Sequence, residues 1–326
     1  MTDHLHVAVA LEGYGWHPAA WRHTPDRPSI FSGRYWAGLV GEAERGLLDF
    51  VTFDDGLTPQ RRRRPEIEPR WLVGRPDAVL VAARVAPVTA DIGLLPVATV
   101  THTEPSHVAE SIATLDLVSH GRAGWQPRVS STTHEAALFG RRHDVGAADL
   151  FAKAVDAVDE VRRSWDGRED RPPQGQPVIA VLAHQLPIYE FAARSADLVF
   201  VTPRDDDQLT AILGEIDEVG GAKLKVYGDV YVAASGVVDD RSDAYVFDGA
   251  ATELVDLLVR WQHLGIDGVR LRPAVHAIDL PFIVDEVVPA LRTAVGFRTG
   301  YTDGETLRQR LGLPVAENRY VKEMQP

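Results

Sequence analysis

Cysteine is missing from all 326 residues, so disulfides, thiolate metal sites and a cysteine nucleophile are excluded at the outset. Positive charge is also scarce. The chain has 34 Lys and Arg against 47 Asp and Glu, and the formal net charge of −13 repels phosphate backbones, so nucleic acid is not an expected partner. No apolar run approaches the ~20 residues needed to cross a bilayer, and Leu5 to Leu11 enters a strand pattern without a signal-peptide hydrophobic region. A soluble, cytoplasmic protein with no membrane partner is expected. Several catalytic motifs are missing too. Gly13-Tyr14-Gly15 follows a strand, but Trp16, His17 and Pro18 stand where a dinucleotide fingerprint needs a further glycine opening a helix. There is no Walker loop, H-E-x-x-H or G-x-S-x-G, which removes the usual support for P-loop, zinc-protease and α/β-hydrolase chemistry, and no metal is expected.

What remains is a chain 45% hydrophobic with seven Trp, enough for a sizeable core, and of a length that an α/β barrel often reaches as one unit, here residues 1–326. Apolar strand-length runs alternate with stretches of helical period. The runs are Leu5 to Leu11, Phe50 to Asp54, Asp91 to Leu95, Arg122 to Trp125, Val178 to Leu182, Leu198 to Thr202, Lys225 to Ala233 and Gly268 to Arg272. Between them lie helices with one apolar face, such as Leu254, Leu257, Leu258 and Trp261 closing on Gly265, and a last helix from Pro281 to Val295. Eight strand–helix pairs are the count for a (β/α)8 TIM barrel. Three connections exceed a plain turn: Gly56 to Pro76, Gln126 to Gly146 and the Asp-rich Ala234 to Gly249. All three leave C-terminal strand ends, so the barrel gathers these long insertions at one mouth.

The stretch from Glu104 to Phe139 is the most informative. Val108, Ile112, Leu115 and Val118 give a helix from about Thr103 to Ser119 with Pro105 in its first turn. Ser119, His120 and Gly121 turn the chain, Arg122 to Trp125 runs inward, and a polar loop from Gln126 to His134 follows. The sequence S-H-G-R-A-G-W followed by a polar loop and A-A-L-F-G resembles the bacterial-luciferase-like flavin monooxygenases, in particular the nitrilotriacetate and dibenzothiophene-sulfone monooxygenase branch. The similarity extends through G-W-H-P-A-A-W-R at Gly15 to Arg22, A-E-R-G-L-L-D-F-V at Ala43 to Val51, P-Q-G-Q-P-V-I at Pro173 to Ile179, and T-L-R-Q-R-L-G-L with N-R-Y at Thr306 to Tyr320.

The resemblance implies an enzyme that takes reduced FMN from a separate flavin reductase and uses O2 to oxygenate a small organic substrate, commonly as a homodimer. It places Asp55, beside Asp54 at the end of the second strand, next to the flavin, where the residue-level alternative is a turn or helix cap. It implies that Thr99 and Thr101, read as lying just past the third strand, approach the ring. Gln126 stands where relatives carry Asn, with an amide able to donate and accept at the pyrimidine edge, and Ser130 matches their serine. His102 and His17 are candidate general acids or bases, or substrate-orienting groups. The run Arg61 to Arg64 reads as a solvated face, with anion binding as the alternative.

The family pattern is broken where it supplies phosphate ligands. Relatives carry a Gly-Ser-rich turn after the fifth strand and an Arg-Tyr pair opening the fourth helix. This chain has Ala183, His184, Gln185, Leu186 and Pro187 in the first place and Asp149, Leu150 and Phe151 in the second. A Leu and a Pro where glycine lets backbone approach a phosphate weaken flavin binding unless His184 and the arginines substitute. Two alternatives therefore stand beside the oxygenase: a non-catalytic or regulatory subunit with weakened flavin binding, and an oxidoreductase dependent on the deazaflavin F420.

Overall fold

The computed structural model describes residues 5–58, 60, 67–69, 71–140 and 147–318. Its strands are β1 (His6–Leu11), β2 (Phe50–Phe53), β3 (Gly93–Thr99), β4 (Gly124–Arg128), β5 (Val178–Leu182), β6 (Leu198–Val201), β7 (Lys225–Val232), β8 (Tyr245–Phe247) and β9 (Gly268–Pro273). Every pairing is parallel, and eight of the strands close in the order β1-β2-β3-β4-β5-β6-β7-β9 and back to β1. This is the expected (β/α)8 barrel. β8 is extra. It lies inside the Asp-rich connection read as a loop and pairs with Val230 to Val232 of β7, just beyond the stretch of that edge already taken by β6. A three-residue run is too short to carry a period, and only the unsatisfied edge of β7 makes it a strand.

Two strands also reach further than the residues suggest. β3 ends at Thr99 rather than Leu95, and β4 runs from Gly124 to Arg128, so Thr99 and Gln126 are ladder residues and not loop residues. The register Val97 to Gln126, Ala98 to Pro127 and Thr99 to Arg128 accounts for this. Pro127 and the polar side chains around it resemble a loop in sequence, but the parallel partner fixes their backbone.

Helices α1 (Gly33–Arg45), α2 (Ala78–Val85), α3 (Pro105–Val118), α4 (Thr133–Leu138), α5 (Ala147–Asp166), α6 (Leu186–Ser195), α7 (Asp206–Glu218) and α8 (Ala251–Leu264) surround the barrel. The last helical stretch starts at His276 rather than Pro281. It runs as α9 (His276–Phe282), one wide turn (Ile283–Val287) and α10 (Val288–Val295). Pro281 sits inside α9 and Pro289 at the start of α10, so the widened turn lies between two residues that cannot donate to the ladder. None of the described helices is long and apolar enough to cross a membrane.

Strand alternation divides the apolar residues into two sets. Val7, Val9, Val51, Val199, Val230, Val269 and Leu271 point outward to the helices, while Ala8, Phe50, Leu95, Val178, Ala180, Phe200 and Tyr227 fill the lumen. The floor is closed by the tail segment. Leu307 and Leu311 of α11 (Leu307–Arg310) and its last turn join the lumen cluster, and Arg310 Nη1 donates to the carbonyls of Asp49 (3.2 Å) and Asp91 (2.8 Å). The T-L-R-Q-R-L-G-L stretch is therefore a plug at the end of the barrel away from the mouth.

His276 opens α9, is fully buried, and has its pKa pushed down to about 3 by desolvation. In the unfolded chain it takes a proton near pH 6.5. Protons thus bind the unfolded state preferentially between about pH 6.5 and 3, and stability falls as pH drops through that window, by up to about 1.4 kcal/mol per pH unit for one such group. Urea unfolding of His276→Gln between pH 7 and 5 is expected to show a flatter acid limb than the wild type; parallel slopes would exclude His276 as the source.

Candidate active site

Strand β9 reads G-V-R-L-R-P, with Val269 and Leu271 on the helix side and Arg270 and Arg272 in the lumen. Register sets Asp229 of β7 directly beside Arg270 and Tyr231 beside Arg272. The Asp229 carboxylate is fully buried and takes four hydrogen bonds. Arg270 donates from Nε (2.8 Å) and Nη2 (2.6 Å), and Arg272 donates from Nε (2.8 Å) and Nη2. Arg270 lies over the Phe200 ring at 3.8 Å and reaches across the barrel, where its Nη1 donates to Gln126 Oε1 at 3.0 Å. A guanidinium has no acceptor, so this bond fixes the orientation of the Gln126 amide and leaves its NH2 group as the donor available to a ligand above.

Arg272 forms the next level. Its Nη1 donates to Asp243 Oδ1 at 2.6 Å, and its guanidinium stacks on the Trp16 ring at 4.6 Å, while Trp16 Nε1 donates to Ala10 O at 2.7 Å. The indole plane is thereby held from both its edge and its face. Two adjoining clefts, of about 280 and 500 Å3, open at this level and share Trp16, Asp243 and Arg272. The first is walled by Val97, Gln126, Val129, Val181, His184 and Ile188, among others; the second by His17, Trp71, Tyr231 and Arg241, among others. Together they match the size of a cofactor-and-substrate pocket, with apolar side chains such as Val97, Val129, Val181 and Ile188 interleaved with charged ones such as Asp54, Arg75, Arg128 and Arg241.

The candidates read from the sequence divide across this mouth. Gln126 and His184 line the first cleft and His17 the second. His17 Nδ1 accepts from Ala19 N–H at 3.1 Å, so the neutral ring carries its proton on Nε2, and desolvation lowers its pKa. His184 Nδ1 lies 3.0 Å from Thr202 Oγ1, and burial lowers its pKa against the pull of Asp243. Asp55 does not line either cleft. Its carboxylate accepts from Gly56 N–H (2.6 Å) and from Ala78 N–H (3.0 Å), the first residue of α2, and burial raises its pKa despite these donors. Asp54 is the member of the pair that faces the first cleft, ion-paired with Arg75 (3.2 Å), which also holds Glu12 (2.6 Å).

Thr99, Thr101, His102 and Ser130 lie behind the cleft wall. Ser130 N–H donates to Thr101 Oγ1 (2.8 Å), and Ser130 Oγ donates to Glu135 (2.6 Å), which also pairs with Arg128. The His102 ring stacks on Phe139 at 4.9 Å, and Thr99 is buried at the end of β3. These residues brace the β4–α4 segment. The Arg61 to Arg64 run lies outside the described residues. Sequence reading missed Asp229, Arg270, Arg272, Asp243 and Trp16. The available signal was R-L-R within a strand expected to be buried on both faces, where inward charges at period two must find partners.

The model of the luciferase-like monooxygenase family matches residues 15–269, well over half of the chain, from just after β1 through β2 to β8 and into the start of β9. The chain belongs to this family. Its members are monooxygenases, so an oxidoreductase role comes with membership. Among relatives of the luciferase-like chain, N-acetyl-S-(2-succino)cysteine monooxygenase of Bacillus subtilis is 25% identical, with 98% of each chain covered. That alignment runs to 441 positions against the 326 residues here, so the relative carries segments this chain lacks. Nitrilotriacetate monooxygenase component A of Aminobacter aminovorans is 32% identical over 60% of this chain and 53% of its own length. The solved EDTA monooxygenase of Chelativorans sp. BNC1 superposes with a TM-score of 0.83, covering 95% of this chain and 98% of that one, at 19% identity; this likeness is one of fold.

Proposed function

We propose that the protein is the oxygenating component of a two-component system, taking reduced FMN from a separate flavin reductase and using O2 to oxygenate a small organic substrate. The observation that carries this reading is the fixed Gln126 amide above the Arg270–Asp229 pair, facing a cleft whose walls mix apolar side chains with charged ones. The residues present suit an isoalloxazine ring: Gln126 to donate at its polar edge, and Trp16, Val97 and Val181 to enclose its faces. Bound reduced flavin supplies the electrons that activate O2. The protein's part is to orient that ring and keep water from it, and Val97, Val181 and Ile188 on the cleft wall serve this purpose. His17, neutral with its proton on Nε2 and lining the neighbouring cleft, is the side chain we assign to orienting or protonating substrate. His102, stacked on Phe139 and lining neither cleft, we assign to bracing the β4–α4 segment. Asp55, Thr99, Thr101 and Ser130 hold the β2 and β4 ends in place for the ring rather than meeting it. A homodimer formed through the flanking helices fits the same reading.

Anaerobic titration with reduced FMN and with reduced F420 tests the proposal. Retention of FMN supports it, and Gln126→Leu should weaken FMN binding about tenfold by removing the donor and the nearer of the two acceptors of Arg270 Nη1. One observation favours a second reading. Helix α6 begins with Leu186 and Pro187 and has no side-chain cap, so the turn after β5 offers a phosphate little. Failure to bind either cofactor would mark a non-catalytic subunit, and selective F420 binding would mark an F420-dependent oxidoreductase.

A further inference from the structure

Among the described residues, Asp243 is placed at the mouth between a buried arginine and a histidine. It sits on the connection between β7 and β8, its side chain is 49% exposed, and its two oxygens face opposite walls. Oδ1 accepts from Arg272 Nη1 at 2.6 Å, and Oδ2 lies 3.9 Å from His184 Nε2. One carboxylate thus spans the space between the end of β9 and the end of β5, on the partition shared by both clefts. Arg272, by contrast, is only 1% exposed and has its Nε and Nη2 committed to Asp229, so Nη1 is the donor it turns to the mouth.

Charge balance shows why this acid is replaceable. Two buried guanidinium groups stand against one buried carboxylate, Asp229, and the half-exposed Asp243 supplies the second negative charge. A buried cation needs a counter-ion, but nothing requires that counter-ion to come from the protein. We propose that Arg272 Nη1 and His184 Nε2 form an anion subsite which the Asp243 carboxylate occupies in the free protein, and that a terminal phosphate or carboxylate of a cleft ligand takes its place. Thr202 Oγ1 orients the His184 ring through Nδ1 and so directs Nε2 to the subsite. The proposal rests on reading the cleft as the cofactor and substrate site, where the anion is either the phosphate of the flavin or a carboxylate of the substrate.

The test uses the full chain with inorganic phosphate and succinate as probes, and FMN and riboflavin as a pair differing only in the phosphate. Asp243→Asn should bind phosphate or succinate about tenfold more tightly than wild type, because a competing charge within ~4 Å is gone. Asp240→Asn, an exposed acid on the same connection, controls for net charge and should change affinity less than about twofold. A gain for FMN without one for riboflavin identifies the cofactor phosphate; a gain for succinate, with FMN and riboflavin moving together, identifies a substrate carboxylate. Equal anion affinities for Asp243→Asn and Asp240→Asn would overturn the subsite. A second measurement leaves position 243 intact: phosphate should raise the thermal midpoint of wild type more than that of His184→Leu, and equal shifts would overturn it as well. If riboflavin and FMN bind no variant while phosphate binding responds to position 243, the flavin reading fails and the subsite stands.

Discussion

Asp229→Ala is expected to lose about 3–5 kcal/mol of folding stability, because one carboxylate neutralises two lumen guanidinium groups through four hydrogen bonds. The loss is a large part of the 5–15 kcal/mol that holds a typical domain together. Neither arginine can escape to solvent, since Arg270 is 2% exposed and Arg272 1%. Urea unfolding followed by tryptophan fluorescence reads the effect directly, and a loss below about 1 kcal/mol would mean that water already shares the charge. The companion experiment separates stability from function. Replacing all three together, as Asp229→Leu, Arg270→Met and Arg272→Met, removes the ions and their desolvation at once and should restore much of the stability. The same triple variant takes away the group that orients Gln126, so flavin affinity should remain low even where folding recovers.

Gly15→Ala should damage the site with comparable force by a steric route. Gly15 has φ +143°, and a Cβ there would lie 2.2 Å from the Ala274 carbonyl oxygen and 2.8 Å from Val275 Cα. These are backbone atoms at the end of β9 and cannot rotate aside. The segment is also tied down on both sides of the glycine. Trp16 N–H donates to Pro273 O (2.9 Å), His17 N–H to Ala274 O (3.0 Å) and His276 N–H to Tyr14 O (2.8 Å). Any shift that relieves the clash therefore moves Trp16, which lines both clefts, and His17, which lines the second. We expect more than about 2 kcal/mol of destabilisation and, because a displacement near 1 Å at a site can cost about a hundredfold, a fall in turnover well beyond the fall in stability. Wild-type kcat and KM in a folded Gly15→Ala protein would refute the role given to this turn.

The G-Y-G sequence that failed as a dinucleotide fingerprint thus has a local purpose, which is close approach of one loop to a strand end. Other stretches that carried the family resemblance are also structural. In S-H-G-R, Arg122 donates to the carbonyls of Ser119, Ala86, Thr89 and Ile92, which locks α3 to the α2–β3 turn. In P-Q-G-Q-P, Gln174 donates to Asp116 and Ala123 O and accepts from Arg308 N–H, joining α3, β4 and the floor plug. Resemblance found the family through residues that build the barrel, so it said less about which side chains meet a ligand. Asp54 and Asp55 illustrate the limit. Both directly follow β2, and adjacent residues there face opposite ways; only the position of α2 decides that Asp55 holds the first N–H of a helix and Asp54 lines the cleft.

The sequence alone determined the repeat of apolar runs and amphipathic helices, because periods of two and 3.6 follow from backbone geometry and need no distant partner. That repeat was enough for a barrel with its long connections at one mouth. Tertiary structure decided the charge network. Arg270, Gln126, Asp229 and Asp243 are 14 to 144 positions from one another, and the ladder register together with closure of the sheet brings their side chains within hydrogen-bonding distance of common partners. Whether a charged residue in a strand faces water or a buried counter-ion depends on what lies across the lumen, and the strand itself carries no record of that.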